Sequence, residues 1–487
     1  MTQSDEQILL RAAQAFEAGQ LQQTRVLCEQ VLARRRRNPA ALYLLGCTAY
    51  AENRFEEARR TLQQSTRLAP KNPEGFLRLG DVHLAEGNHR AALSAYERAQ
   101  KLDPKSLVAV WGKAEVFDRQ GQAERVAKLL QPFVASGRED AAMARLFARA
   151  LWKSGRDDEA IRLLHKHLEA PATPARRRRE LYFLLGKIHE KRTEYDRAFE
   201  AYRNGNEAFG EPYDPAAFRR RIDGLIEVFS PENLRRFARA TLKAKDPVFV
   251  VGMPRTGSTL VERIIDAHPQ ACGIGEFFEI NHVLRGLSLT VGSTQAYPHC
   301  VGDMTPATAD QAAGDYLEAA RKQGGGAERF VDKYLSNFEN LGVLSLLLPE
   351  ARFIECRRNP MDACFSCFGE ALHPSGHRYA SNLKHLGMHY RQYERLMDHW
   401  KRVLDAPILE VRYEELTADQ EAVSRRIIDF VGLPWDEQCL RYYELKREIL
   451  TLSREQVDQP VYRHAVNRAE RFAPHLEPLK QALAEGI

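Results

Sequence analysis

The stretch Gly252-Met253-Pro254-Arg255-Thr256-Gly257-Ser258-Thr259 gathers two glycines, an arginine and three hydroxyls into one short loop. Residues of these types bind anions. Glycines let backbone N–H groups converge on a charge, and hydroxyls and a guanidinium donate to it. In the G-x-x-x-x-G-K-[ST] loop that cradles nucleoside triphosphates, a lysine reaches the terminal phosphate. Gly252 and Gly257 fit that pattern, but Ser258 stands in the lysine's place and the cation is Arg255, inside the loop. No apolar strand ending in an aspartate together with a downstream switch clearly supplies the Mg²⁺ site that a kinase or ATPase needs, so that reading is disfavoured. The loop suits a shorter anion on a nucleotide's 5′ side.

Two further segments carry chemistry of the same kind. Arg357-Arg358-Asn359-Pro360 follows the strand-like Ala351–Cys356, and a helix is expected from Met361 through Ser366. Arg358 and Ser366 then bring a guanidinium and a hydroxyl near one helix start, a grip for a second phosphate. Phe330-Val331-Asp332-Lys333 ends an apolar run on a lysine. The elements that must hold these groups follow from the pattern. Pro247–Val251 is a continuous apolar run between Asp246 and Gly252, as in a buried parallel strand, and Leu260–Ala267 reads as the next helix. Arg255, Lys333 and Arg358 all fall at the carboxyl ends of strands, where open parallel sheets bind ligands.

From about Asp246 to Leu479 the sequence resembles the sulfotransferases that use 3′-phosphoadenosine 5′-phosphosulfate (PAPS), and among them the protein-tyrosine sulfotransferases. The resemblance rests on the Gly252–Leu260 loop, on Asp266-Ala267-His268-Pro269 followed by Gly275-Glu276, and on Arg358-Asn359-Pro360 through Ser366. It implies that Arg255, Thr256, Gly257, Ser258 and Thr259 hold the 5′-phosphosulfate, and that Arg358 and Ser366 hold the 3′-phosphate. Glu276 falls at the family's catalytic base, and Lys333, with Arg255, at the cations that stabilise the transferring group. Tyr413 matches an aromatic near the nucleotide, and Ser453 and Arg468 match a C-terminal segment that closes over the sulfate and phosphates. The resemblance further implies PAPS as co-substrate, PAP (the desulfated nucleotide) as product, and no required metal. Gly273-Ile274-Gly275-Glu276 departs from the tyrosine branch in carrying one acid where that branch has two.

The chemistry fits these residue types. A phenol with pKa about 10 is a poor nucleophile at neutral pH, so a carboxylate must take its proton during attack. Cations can neutralise the charge that spreads over a moving sulfuryl group. Simpler roles stand beside these: Glu276 as an acid favoured at a helix start, and Tyr413 as a core aromatic. Cys364-Phe365-Ser366-Cys367 has redox spacing but no second pair. His373, His377, His385 and His389 lack acidic or cysteine partners at a metal-binding spacing.

The first two hundred residues repeat. Gly46 and Gly80 lie 34 residues apart, as do Ala58 and Ala92, and Pro70 and Pro104. Weaker copies fall at Ala12/Thr24, Ala114/Val126, Ala148/Ala160 and Gly186/Ala198. Small residues at the first two positions let paired helices approach, while Leu62, Phe76, Leu79 and Tyr96 fill the space between units. One pair cannot bury its own apolar face, so the units must stack. The pattern resembles tetratricopeptide repeats, about six of them, over residues 5–210. Two arginine runs, Arg34–Arg37 and Arg176–Arg179, read as solvated turns between repeats or as docking points for an acidic acceptor.

The expected architecture is therefore an all-α repeat solenoid over 1–210, a helical connector over 211–245, and a three-layer α/β domain with a parallel sheet over 246–487. The expected activity is sulfuryl transfer from PAPS to a hydroxyl, preferably of a protein or peptide tyrosine, with the repeats docking the acceptor or another protein on their concave face. A small-molecule or carbohydrate acceptor and a non-catalytic adaptor that senses a nucleotide stand as alternatives; a homodimer is compatible with the repeats. Lys+Arg 71 against Asp+Glu 66 leaves a net +5 on 487 residues, too small a surplus for a nucleic-acid coat protein. No apolar run reaches the roughly 18 residues of a transmembrane helix. The polar start Met1–Glu6 and eight scattered cysteines read as a cytoplasmic chain with reduced thiols.

Overall fold

Asn38-Pro39 and Asn72-Pro73 each start a helix, Pro39–Ala51 and Pro73–Ala85. The asparagine side chains accept N–H bonds from Ala40 and Glu74, satisfying donors that a helix start leaves open, and proline suits the first helical position. The repeat glycines sit where helices cross. A Cβ on Gly46 would meet Leu62 Cγ at 2.6 Å, and one on Gly80 would meet the Tyr96 ring at 2.6 Å. Leu62 and Tyr96, on the partner helices Phe55–Leu68 and His89–Leu102, are fully buried. The 34-residue spacing thus records one packing solution used repeatedly, and the N-terminal half is a helical repeat solenoid.

The computed structural model describes residues 3–208, 212–372, 374–445, 459–460 and 466–485. It divides into two units, Met1–Ile188 and His189–Ile487. Helix Tyr195–Glu207 therefore belongs to the second unit.

The second arginine run departs from expectation. Arg176–Arg179 lies in the first turn of helix Ala175–Lys191, not in a turn between helices. Cations oppose the dipole there. Local partners offset this: Arg177 Nη1 lies 2.8 Å from Glu180 Oε2, and Arg178 Nη2 donates to the Pro171 carbonyl at 3.2 Å. Of the first run, Arg34 closes a helix and Arg35 stands 3.4 Å from the buried Asp5 carboxylate.

The second unit is built on five parallel strands: β1 Pro247–Gly252, β2 Ala271–Gly275, β3 Arg329–Asp332, β4 Arg352–Arg357 and β5 Ile408–Arg412, in the order β2-β3-β1-β4-β5. Parallel neighbours need crossovers, and helices supply them: Ser258–Asp266 after β1, Pro306–Gly324 before β3, and Leu383–Val403 before β5. Central β1 is buried along its whole length, which explains its unbroken apolar sequence. Val248 and Val250 pack with Ile264, Ile354, Ile427 and Ile428 on one face. Phe249 stacks on Phe353 and Tyr316 on the other. Each such buried side chain contributes about 1.5–3 kcal/mol, and helices cover both faces. No helix among the described residues is long and apolar enough to cross a membrane.

Candidate active site

The glycine-rich loop leaves the carboxyl end of β1 and enters helix Ser258–Asp266. Its backbone explains its composition. Gly252 has φ +146°, and a Cβ there would meet the Cys356 carbonyl of β4 at 2.6 Å. Gly257 has φ +90°, and a Cβ there would meet Tyr413 Cδ2 at 2.7 Å. Arg255 adopts φ +69° without being glycine, a strained conformation held by its surroundings. The Thr256 hydroxyl donates to the Met253 carbonyl at 2.7 Å, and the Cys367 thiol to the Pro254 carbonyl at 3.3 Å. Burial pushes that thiol up to about 12, so it stays protonated and braces the loop. Ser258 and Thr259, both buried, open the helix, whose first N–H groups have no intrahelical acceptor.

The second cationic segment lies beside the first. Asn359 caps helix Pro360–Phe368, accepting from the Met361 and Asp362 N–H groups. Arg358, buried just before it, donates to the Arg255 carbonyl at 3.1 Å and lies 5.0 Å from the Tyr413 ring. Ser366 Oγ, on the same helix, accepts from Arg255 Nε at 3.3 Å. Burial lowers the Arg358 guanidinium from its ordinary value, with the Asp362 carboxylate 3.7 Å away opposing that shift. The structure thus brings the loop residues Arg255, Thr256, Gly257, Ser258 and Thr259 together with Arg358, Ser366 and Tyr413 at the carboxyl ends of β1, β4 and β5.

Glu276 and Lys333 form the other half. Lys333, at the end of β3 and 1% exposed, donates from Nζ to Glu276 Oε1 at 2.8 Å; the Glu276 side chain is 46% exposed. The Lys333 N–H also binds the Gly275 carbonyl. The helix after the loop fixes this turn: Glu262 Oε1 accepts from the Gly275 N–H at 2.9 Å, and Asp266 Oδ1 from the Gly273 N–H at 2.7 Å. Burial raises Glu262 above the usual carboxylate range, while Lys333 pulls it down. His268 belongs to the same anchorage, with Nε2 2.8 Å from the Pro434 carbonyl. Asp266 and Glu262 thus hold the backbone of the strand that leads into Glu276.

Arg468 lies within the network but is already engaged. Its guanidinium forks onto both Glu190 oxygens, at 2.7 and 2.6 Å, and packs 5.0 Å from the Phe365 ring. Burial would lower it; Glu190 wins and holds it above its ordinary value. Asp362 ties in this end of the chain by accepting the Asn467 and Ala469 N–H groups, each at 2.7 Å. Ser453 lies outside the described residues.

The carboxylates Glu262, Asp362, Glu370 and Glu190 were not singled out from sequence. Glu262 and Asp362 had a local signal, as acids on the helices that follow the two anion-binding segments. Glu370, 3.6 Å from Arg255 Nη2, had only its place after that second helix. Glu190, 278 residues from Arg468, had none. Of the flagged histidines, His389 stacks on Tyr379 and Phe218 and bonds the Tyr213 hydroxyl at 2.9 Å. His373 lies outside the described residues. Among the described residues no group of three or more His, Cys, Asp or Glu is placed to hold a metal ion.

Residues 247–437 match the sulfotransferase family profile. The C-terminal half is a sulfotransferase domain. Tetratricopeptide-repeat profiles match residues 9–73, 43–106, 83–147 and 144–178. An uncharacterized protein of Aquifex aeolicus (strain VF5) is 33% identical over 68% of this chain and 44% of its own length. Protein-tyrosine sulfotransferase A of Caenorhabditis elegans is 25% identical over 44% of this chain and 58% of its own. The chain thus spans about half the length of these relatives. Among solved structures, a tetratricopeptide repeat protein from Parabacteroides merdae ATCC 43184 is 16% identical over 42% of this chain and 78% of its own, with a TM-score of 0.37. Within the sulfotransferase domain, the match spans the loop, Glu276, Lys333, Arg358, Ser366 and Tyr413, and ends before Arg468.

Proposed function

We propose that the sulfotransferase domain transfers the sulfuryl group of PAPS to an acceptor hydroxyl, by preference that of a protein or peptide tyrosine. The observation that carries this reading is that the 2.8 Å Lys333–Glu276 pair and the cationic Arg255–Arg358 segments both follow the carboxyl ends of strands of one parallel sheet. The residues present fit the nucleotide. Gly252 and Gly257 let the loop pack against the Cys356 carbonyl and the Tyr413 ring where a Cβ would clash, and two cationic segments suit two phosphate positions. Bound there, the nucleotide supplies a sulfuryl group on a phosphate leaving group.

This chain's residues do the rest. Thr256, Gly257, Ser258 and Thr259 orient the 5′ end, and Arg358 and Ser366 the 3′-phosphate. Glu276, half exposed and therefore reachable, takes the acceptor's proton as its oxygen bonds to sulfur and the sulfur–oxygen bond to the phosphate breaks. Lys333 and Arg255 neutralise the charge left on the leaving side. The tyrosine preference draws on the similarity to tyrosine sulfotransferases, and the repeats are read as docking the protein acceptor.

Calorimetry with PAP, ATP and GTP tests the donor: PAP binds, and neither triphosphate competes. Labelled PAPS added to a cell lysate with the full chain, followed by mass spectrometry, then tests the acceptor. Sulfated tyrosine is expected. Label in glycans or small molecules alone would replace the tyrosine reading, and PAP binding without transfer would favour a nucleotide-sensing adaptor.

A further inference from the structure

The Lys333–Glu276 pair is flanked on both chain segments by contacts to one buried carboxylate, Asp332, which has no part in the chemistry above. Its oxygens accept from the Tyr334 N–H at 2.9 Å, the Tyr316 hydroxyl at 2.8 Å and Asn337 Nδ2 at 3.4 Å, and from the Phe277 N–H. Phe277 directly follows Glu276, and Tyr334 directly follows Lys333. One carboxylate therefore pins the backbone beyond the base and the backbone beyond the cation. Asp332 is fully buried at the end of β3, in register with Phe249 of β1, so water cannot replace a lost acceptor.

We propose that Asp332 is a positioning residue that sets the distance between Glu276 and Lys333, and that its ionised form is the one that does so. The proposal rests on the sulfotransferase reading for its effect on turnover, and on the geometry alone for its effect on the backbone. An ionised carboxylate accepts at both oxygens; a protonated one must donate from one of them and so gives up an acceptor site. Glu262, from helix Ser258–Asp266, pushes its proton affinity up, and Tyr316, from helix Pro306–Gly324, bonds the charged form. Lys333 adjoins it in sequence and points to Glu276. Burial dominates and raises Asp332 to about 7. Below that pH the clamp loosens; above it the clamp is complete.

The test uses the full chain and two variants. Asp332→Asn keeps the shape but turns N–H donors toward N–H donors. Tyr316→Phe removes one bond to the charged form and is the milder change should the first fold poorly. Amide hydrogen exchange is measured at Phe277 and Tyr334 at pH 6 and pH 8, with turnover on PAPS and affinity for PAP alongside. In the native chain, both amides should be less protected at pH 6 than at pH 8, protection being the intrinsic base-catalysed rate at each pH divided by the observed rate. Asp332→Asn should lose that difference, and lose about a hundredfold in kcat with PAP affinity unchanged, as expected for a misplaced catalytic pair. Tyr316→Phe should move the acid limb of kcat to higher pH, because it removes a bond that favours the ionised form. Equal protection at the two pH values in the native chain, or an Asp332→Asn enzyme with native kcat and pH profile, overturns the proposal. If the native chain shows no transfer from PAPS, the sulfotransferase reading fails, and the exchange data still decide the clamp.

Discussion

Each cation of the site is held by a partner that leaves it a different freedom. Arg358 is buried against the Arg255 carbonyl and the Tyr413 ring, so its guanidinium is pre-set rather than searching. Arg468 is fork-bonded to Glu190 and offers little to a ligand unless that pair opens. Arg358→Ala should therefore weaken PAP binding by roughly 1.5–3 kcal/mol, the worth of a hydrogen bond to a charged group. Calorimetry on the folded variant checks this, and unchanged affinity would remove Arg358 from the 3′-phosphate site. These residues were legible in the sequence because cations directly after apolar, strand-like runs, one of them inside a glycine-rich turn, form a local pattern. The acids that hold them were not, since an aspartate that accepts an N–H bond looks like any other aspartate until the chain is folded.

At the scale of elements, strand, loop and helix form one anion-binding unit whose backbone demands particular residues. The pattern of β1, the loop and its helix could be read in advance, because a buried parallel strand and a glycine-rich turn each leave a local imprint. The strand order β2-β3-β1-β4-β5 left none, since pairing between strands depends on long crossovers. The Arg176–Arg179 run was misread for a related reason: a charge run looks like a turn, and the partners that let it start a helix, Glu180 and the Pro171 carbonyl, are geometric. Gly257→Ala tests the loop. Its φ of +90° and the 2.7 Å approach to Tyr413 both oppose a Cβ. The variant should lose about 1–3 kcal/mol of stability from backbone strain, in denaturant unfolding, and lose PAP binding beyond that. Native PAP affinity in this variant would show that the loop does not touch the nucleotide.

At the scale of the whole molecule, the second unit begins at His189, so it includes residues that the repeat pattern assigns to the solenoid. Glu190, Tyr202 and Phe199 all make contacts within it, to Arg468, Glu190 and Phe368. Glu190→Ala should cost about 3–5 kcal/mol, because it leaves a buried guanidinium unpaired. Although burial opposes it, Arg468 holds the Glu190 carboxyl below its ordinary value, so the pair's contribution is present above the unfolded carboxylate pKa. It is lost as pH falls through the lower folded value, and thermal melts of the variant and the native chain should converge there. A chain truncated to start at Pro174 keeps these contacts and should bind PAP normally; one starting at Pro212 should be markedly less stable. If the repeats dock the acceptor, the Pro174 chain should lose efficiency on a full protein acceptor through KM and not kcat. The central claim is that Glu276 takes the acceptor's proton in a transfer from PAPS. The most direct measurement is sulfate transfer from labelled PAPS to a tyrosine peptide by the native chain and by Glu276→Gln, with PAP affinity of both measured by calorimetry. The account predicts equal PAP affinity and a kcat lower by about a hundredfold to ten-thousandfold in the variant. A Glu276→Gln enzyme with near-native kcat would contradict it.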